Sequence, residues 1–527
     1  MTSILNKKIL LYLLPFFLGL LTSFSLPPYN FLVLNFFTFP ILLLYLIYNQ
    51  NNKWNSFKIG WFFGFGYFIS NIYWITNSLT FDESLKSLIP FAFIIIPVFL
   101  GSFYGFPTLL SSFFKLKKNF YSILIFTVFF SIIEFIRGFI LGGFPWNLIA
   151  YSWTNYLSSI QIISFIGTYS FNLISITIFL LPLTIFFNKK LNFKILILFL
   201  LFLILLSNHF YGNYKIKKDN DLYSDIDDFK IKIISPKISI DRFFEANNEE
   251  IIIKELIELS DPKKSEKTIF IFPEGALAGV NLEQLKNFKS IFSNKYSKKH
   301  TIIMGINTEK EISDDKKIFN SMVVLDNNVN LISEYNKIKL VPFGEFLPFE
   351  KFFKKIGLKK IGYGYESFSP GMERKVISLN DKNFNFIPLI CYEIIYSGKI
   401  NLKKENTNFI VNISEDGWFG ETIGPHQHFS HTIFRAVEEG KNLIRSTNNG
   451  VSAFIDANGI IVSKLESTKK GVIEINNYKK FNETFFSKFG NNIFFYIIIF
   501  YLLVSQFQRV IQTKFVIEFQ IWLLIHT

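Results

Sequence analysis

The sequence predicts a polytopic α-helical membrane protein of eight transmembrane helices that carries one large domain, α/β or α+β, outside the membrane. Three observations lead there. Of 527 residues, 50% are hydrophobic and 18% charged, whereas soluble domains carry about 25% charged residues and disordered chains are poorer in apolar ones. Apolar runs recur at 9–26, 31–48, 59–79, 88–112, 121–140, 158–187, 195–211 and 491–507, where a span needs about 20 residues. Between the last two, residues 212–487 change character to short β-branched runs separated by polar turns.

The first run follows Lys7 and Lys8, but LTSFSLPP lacks a small-x-small cleavage site and more spans follow, so it reads as a retained anchor. The seventh and eighth runs have short uninterrupted cores and need flanking aromatics and snorkelling Lys194 or Lys488 to reach across. Basic residues fall on alternate connections: Lys7 and Lys8; Lys53 and Lys58; Lys115, Lys117 and Lys118; Lys189, Lys190 and Lys194; Arg509 and Lys514. The other short connections offer little beyond Lys86 and Arg137. By the positive-inside rule both termini are cytoplasmic and the long segment lies outside. Much of the formal charge of +14 is then topological and does not call for a nucleic-acid partner.

The fifth run carries Glu134 and Arg137, three apart on one helix face. They read either as an ion pair pinning helices together or as a lining for a polar lipid headgroup. GGFPWNLIAYSW follows, with Trp146, and fits an interfacial re-entrant turn.

In the long segment, strands are expected at 229–235, 268–272, 301–306, 320–326, 385–390, 408–414 and 451–456, and helices at 247–260 and 281–295. NSMVVLDNNVNLISEYNK reads as a hairpin. Three strands end abruptly in a reactive group, which is where α/β sheets collect their sites. TIFIFPEGAL ends at Glu274, SEYNKIKLVPFGEFLP carries Lys337 and then Glu345, and NFIPLICYEIIYSG ends at Cys391, the chain's one cysteine, with Glu393 two residues on. A single cysteine allows neither an intramolecular disulfide nor a cysteine zinc site. A thiol nucleophile needs a base, for which Glu274 is suited, and a cation that stabilises an oxyanion, for which Lys337 is suited. Glu345 would orient the lysine or relay a proton. Taken singly, each has a plainer reading: a cysteine after a strand is a small core hydrophobe, and a lone Glu or Lys is a solvated surface residue.

FPEGAL, YNKIKLVPFGEFLP, ICYEIIY, NISEDGWFG, IGPHQH and IRSTNNGVSAFID together resemble the bacterial apolipoprotein N-acyltransferases, as does the stretch from Glu134 to Trp146. The resemblance covers nearly the whole chain. It implies a nitrilase-like αββα sandwich facing the periplasm from the inner membrane, and three parts: 1–211 with seven helices, 212–487 catalytic, and 488–527 with the eighth helix and a cytoplasmic tail. It implies a Glu274, Lys337 and Cys391 triad, with Glu345, Tyr392 and Glu393 in support. The implied reaction moves an acyl chain from a phospholipid, typically phosphatidylethanolamine, through a Cys391 thioester. The acceptor is the α-amine of an apolipoprotein's N-terminal S-diacylglyceryl cysteine. No metal or soluble cofactor is implied, and the expected state is a monomer.

Water must be kept from such a thioester, so a greasy entrance at the membrane is expected. Residues 346–370 offer a basic amphipathic stretch in which Phe349 and Phe353 alternate with lysines. Glu134, Arg137, Trp146, Phe349 and Phe353 are therefore the candidate lipid contacts. The chain departs from the family at IISPKISIDRFF, where Ser235, Pro236 and Lys237 replace a Gln-x-Asn strand end. Two alternatives share the triad's residues or the architecture: a membrane-tethered carbon-nitrogen hydrolase with water as acceptor, and a transport or scaffold protein whose outer domain only binds. The tail at 515–527 is assigned no role.

Overall fold

The computed structural model describes residues 2–187, 191–222, 225–226, 229–244, 248–312, 315–349, 355, 367–400 and 407–526. Lys189, Lys190, Phe353 and most of the 346–370 stretch lie outside the described residues. The chain forms two compact units. The first comprises Met1–Tyr73, Phe91–Gly212 and Phe489–Thr527; the second comprises Trp74–Pro90 and Asn213–Lys488.

The first unit is helical. Its longer helices are α1 (Thr2–Ser23), α2 (Asn35–Asn49), α3 (Lys53–Asn71), α4 (Ile89–Ser112), α5 (Phe120–Arg137), α6 (Ile163–Leu180) and α7 (Leu191–Leu222), the last belonging to it up to Gly212, followed at the C-terminal end by Asn492–His526. Among the described residues, six helical stretches are long and apolar enough to cross a membrane: Leu32–Asn49, Glu83–Ser112, Phe120–Arg137, Ile163–Phe186, Lys194–Asp219 and Asn492–Arg509. Apolar helices suit lipid because every backbone group is satisfied within the segment. α1 and α3 occupy the two remaining expected positions; α1 contains the shorter apolar stretch Leu11–Ser23, and α3 is diluted by Lys, Asn, Ser and Gly. The helices start where capping chemistry allows: Asn52 accepts from Trp54 and Asn55 at the head of α3, and Asn119 accepts from Ser122 at the head of α5.

The expected third span at 59–79 stops early. α3 ends at Asn71, and Tyr73–Phe81 continues as a tighter 3₁₀ turn, the part from Trp74 onward folding with the second unit. The expected sixth span at 158–187 is interrupted at Gly167, whose φ of 75° and ψ of 170° leave the helical region. GGFPWNLIAYSW is irregular from Gly143 to Leu148 and ends in a 3₁₀ turn, Ile149–Trp153, and Trp146 is buried.

Among the described residues the second unit contains a two-stranded sheet, Asp225–Ile226 with Tyr478–Lys479, and twelve further strands in two six-stranded sheets. They are β1 (Lys230–Ser235), β2 (Thr268–Ile271), β3 (His300–Ile312), β4 (Asp315–Leu325), β5 (Leu331–Asn336), β6 (Ile377–Leu379), β7 (Phe384–Ile390), β8 (Phe409–Glu415), β9 (Asn442–Asn448), β10 (Ser452–Ile455), β11 (Ile461–Leu465) and β12 (Gly471–Ile475). The orders are β12-β1-β2-β3-β4-β5 and β11-β10-β9-β8-β7-β6. Each sheet has three parallel strands, β1-β2-β3 and β7-β8-β9, with antiparallel strands outside them. Parallel strands covered on both faces read as continuous apolar runs, which is why β2 and β7 were legible.

The first sheet is covered by helix α8 (Glu249–Ser260), whose Ile253, Leu256 and Ile257 join Phe270, Ile302, Val323 and Leu325 in one core. Helix α9 (Gly424–Glu439) packs against β9 and β10 of the second sheet. The two sheets meet directly: the Ser446 hydroxyl donates to the carbonyls of Ile234 (2.9 Å) and Ile271 (3.0 Å). The layers are therefore helix, sheet, sheet, helix.

Candidate active site

The carboxyl ends of parallel strands β2 and β7, one from each sheet, carry Glu274 and Cys391, and the end of antiparallel β5 carries Lys337 to the same place. Glu274 follows β2, and Gly305 of β3 makes room for it, since a side chain there would approach the Glu274 Cα to 2.6 Å. Lys337 leaves β5, its N–H donating to the Asn320 carbonyl at 2.9 Å. Cys391 follows β7 on a sharp elbow with φ of +48°, a conformation that costs an L-residue about 1–2 kcal/mol. A 3₁₀ turn, Cys391–Ile395, follows it.

The Lys337 amine donates to Glu345 Oε1 at 2.9 Å and lies 3.2 Å from Glu274 Oε1. The Asn320 amide donates to the same two carboxylates, at 2.7 Å each. The second oxygen of Glu274 accepts the Glu415 backbone N–H at 3.0 Å. Glu345 is held by its own turn, its Oε2 accepting the Val341 N–H at 2.8 Å. One amine is thus shared by two carboxylates from different segments.

Electrostatics follow from that ratio. Burial pushes the Glu274 carboxyl up and the Glu345 charge adds to it, against the opposing pull of Lys337, Asn320 and the Glu415 N–H. Burial alone would lower Lys337, but the two carboxylates outweigh it and hold the amine well above its ordinary value. Burial, with the Glu274 charge adding, pushes the Cys391 thiol far up, Lys337 opposing. Burial thus favours the neutral thiol and raises the proton affinity of the Glu274 carboxyl above an ordinary glutamate's, which suits it to accept the thiol's proton.

Glu393 joins the elbow to the lysine segment. Its carboxylate accepts from the Tyr335 hydroxyl (2.7 and 2.9 Å), the Ile338 and Lys339 N–H groups (3.0 and 3.2 Å), the Ile390 N–H (2.9 Å) and Arg374 (3.1 Å). One buried side chain therefore fixes both the residue before the thiol and the backbone just after the amine. Tyr392 is buried, its ring edge-on to Tyr396 at 5.5 Å.

Three contributors escaped the sequence reading. Asn320 is a polar residue in the middle of β4, just before its apolar run, and that position was its only signal. Arg242 donates to the Gly275 carbonyl at 3.0 and 2.8 Å and pairs with Glu415, so it braces the turn after Glu274 from the atypical Ser235-Pro236-Lys237 loop. Behind Cys391, Asp416 accepts from Ser414 (2.7 Å), Arg445 (2.8 Å) and His428 Nδ1 (2.9 Å). Although burial opposes it, the Arg445 and His428 partners hold the Asp416 carboxyl down at about 2.

Of the candidate lipid contacts, Glu134, Arg137 and Trp146 are buried within the first unit, and Phe349 in the second is 71% exposed. Arg137 pairs with Glu134 and donates to the Phe144 carbonyl. Among the described residues no group of three or more His, Cys, Asp or Glu side chains is arranged to hold a metal ion.

Residues 18–181 match the family model for the apolipoprotein N-acyltransferase N-terminal domain, and residues 251–476 that of carbon-nitrogen hydrolases. A Rickettsia prowazekii apolipoprotein N-acyltransferase is 32% identical over 92% of this chain and 97% of its own length. The chain belongs to the apolipoprotein N-acyltransferase family. It is accordingly an enzyme, an acyltransferase, and a multi-pass membrane protein. The Brucella melitensis member of the family is 28% identical over 87% of this chain and 88% of that one. Among solved structures, a mutant amidase of the nitrilase superfamily from Nesterenkonia covers 48% of this chain and 92% of its own at 14% identity and a TM-score of 0.33. A Saccharomyces cerevisiae member of branch 10 of that superfamily covers 48% and 90% at 15% identity and a TM-score of 0.34.

Proposed function

We propose that this acyltransferase moves an acyl chain from a phospholipid, phosphatidylethanolamine in the first instance, to the N-terminal S-diacylglyceryl cysteine of an apolipoprotein. The observation that carries the reading is the two-carboxylate, one-amine cluster buried with the chain's single thiol. In the first half-reaction Glu274 accepts the thiol proton as Sγ attacks the ester carbonyl, and Lys337 stabilises the oxyanion. Collapse breaks the carbon–oxygen bond, Glu274 returns the proton to the departing lysophospholipid oxygen, and the acyl group remains on Cys391 as a thioester. In the second, the acceptor's neutral α-amine attacks the thioester, the carbon–sulfur bond breaks, and the amine's proton passes by way of Glu274 to the thiolate. Glu345 keeps Lys337 in place, while Glu393 and Tyr392 fix the elbow. No metal or cofactor enters either step.

The same reading assigns eight spans, with α1 and α3 counted beside the six apolar stretches, and parts at 1–211, 212–487 and 488–527. Both termini are cytoplasmic, and the second unit faces the periplasm from the inner membrane; the lysines on alternate connections support this. Phe349 and the stretch around it meet lipid. Glu134, Arg137 and Trp146 are buried, and we assign the ion pair to the bundle's own architecture rather than to a headgroup. The working unit is a monomer.

The test is intact-protein mass spectrometry after incubation with phosphatidylethanolamine vesicles. An acyl-sized adduct that hydroxylamine removes and that Cys391→Ala lacks is the expected result. Turnover of small amides without any such adduct would replace acyl transfer by hydrolysis.

A further inference from the structure

The connection between α3 and α4 does not fold with the helices it joins. Trp74–Pro90 belongs to the second unit, and its contacts converge on one turn of that unit. Trp74 is 4% exposed, donates its indole N–H to Gln427 Oε1 at 3.2 Å, and sets its ring edge-on to Phe419 at 4.7 Å. The Asn77 amide donates to the Trp418 carbonyl at 3.3 Å. Phe81 packs on Phe244 (6.2 Å) and Trp418 (5.8 Å). Gly420 has φ of +65°, and a side chain there would meet the Asn77 amide at 2.7 Å, so the turn and the amide fit only with glycine in that place.

That turn is the direct continuation of the residues behind the reacting groups. Glu415 puts its backbone N–H on Glu274, and its carboxylate is held by Arg242, Asn448 and the Gly417 N–H. Asp416 closes the Ser414, His428 and Arg445 network behind Cys391, and the Phe419 N–H donates back to the Asp416 carbonyl at 3.0 Å. A displacement of Trp418 to Gly420 therefore reaches the Glu415 N–H within three residues.

We propose that Trp74 and Asn77 are positioning residues for the reaction: they hold the Trp418–Gly420 turn so that the Glu415 N–H stays on the catalytic carboxylate. The inference rests on Glu274 being the base. Besides that N–H, Glu274 faces Lys337, Glu345, Cys391 and the Asn320 amide. The N–H favours the ionised carboxylate, so weakening it raises the pH at which Glu274 becomes a base.

Cys391 is the chain's only cysteine, so its alkylation by iodoacetamide reads the site without any lipid. In the full-length protein, Asn77→Asp keeps size but cannot donate, and Trp74→Phe keeps a ring but loses the indole N–H. Each is expected to move the acid limb of the alkylation profile up by about half a pH unit, about threefold slower on the acid side, and to reach the parent rate on the alkaline side. Glu274→Gln is expected to flatten that limb. Profiles of both variants that superimpose on the parent, or that fall equally at every pH, overturn the positioning role while leaving Glu274 as the base. An acid limb that survives Glu274→Gln overturns both. A shifted limb in a protein that phosphatidylethanolamine fails to acylate would support the positioning role and sink the phospholipid as donor.

Discussion

Each unit buries charge, and the two do it differently. In the first, Glu134 and Arg137 sit three apart on α5, pair one to one, and are 1% exposed at the side chain. In the second, Lys337 is shared by Glu345, from the turn that follows it, and Glu274, from the end of a strand distant in the chain. The first arrangement is neutral and local. The second holds an excess carboxylate that only a proton or a reaction can balance, and it adjoins a thiol. Buried charge alone does not mark a site; an unbalanced ratio assembled from separate segments does.

The largest effect that would break the comparison is on the thiol and the amine. Cys391→Ala and Lys337→Ala are each expected to reduce acyl transfer per folded protein on the order of 10⁴-fold or more, Cys391→Ala with folding unchanged and Lys337→Ala with some loss of folded yield because it leaves two buried carboxylates without their cation. Phospholipid turnover measured against folded protein decides it, and full activity in either variant would dissolve the catalytic reading of the cluster.

The next effect falls on the balanced pair. Arg137→Leu leaves Glu134 buried without its partner and is expected to cost about 3–5 kcal/mol, seen as lost folded yield in detergent. Glu134→Leu with Arg137→Leu removes both charges and is expected to recover most of that yield with the parent's turnover. A double variant that folds but no longer accepts phospholipid would make the pair a headgroup site after all.

Glu345→Gln should sharpen the contrast by restoring one-to-one pairing at the active cluster. Turnover is expected to fall about 10²-fold while the Cys391 adduct still forms, because the lysine keeps Glu274 but loses its second anchor. A loss as complete as that of Lys337→Ala would promote Glu345 to a direct chemical role.

The same contrast explains what was legible beforehand. Glu134 and Arg137 are neighbours in sequence, so their pairing could be read from spacing alone. β2 and β7 announced themselves as apolar runs ending in Glu274 and Cys391. β9, Asn442–Asn448, is as buried as any strand, yet NLIRSTN carries Arg445 and Asn448, whose partners Asp416 and Glu415 come from elsewhere. α9 is likewise buried along most of its length although its sequence opens with Gly, Pro, His and Gln. Periodicity detects burial of apolar groups, and it cannot detect polar groups satisfied at a distance. Asn320, Arg242 and the Trp74–Pro90 excursion were missed for that reason.

A third cluster tests whether excess acid is by itself a mark of chemistry. Glu439, 1% exposed, lies beside Glu438, whose carboxylate is taken by Arg435 at 3.0 Å. Burial first, and then the Glu438 charge, push the Glu439 carboxyl up to about 7, against Lys441, Arg435 and Ser487. Its folded value lies above the ordinary glutamate value, so the stability it contributes is fully present below about pH 4.5 and is lost as pH rises through about 7. Glu439→Gln removes the ionisation, and the variant is expected to be more stable than the parent at pH 8 by on the order of 1–3 kcal/mol, with little difference at low pH. Thermal unfolding by intrinsic fluorescence at two pH values measures it, and equal slopes for parent and variant would refute the assignment. No thiol adjoins this acid in the way Cys391 adjoins Glu274, so turnover per folded protein should not change. If it did, the distinction would have to be drawn from proton affinity rather than from the company the acid keeps.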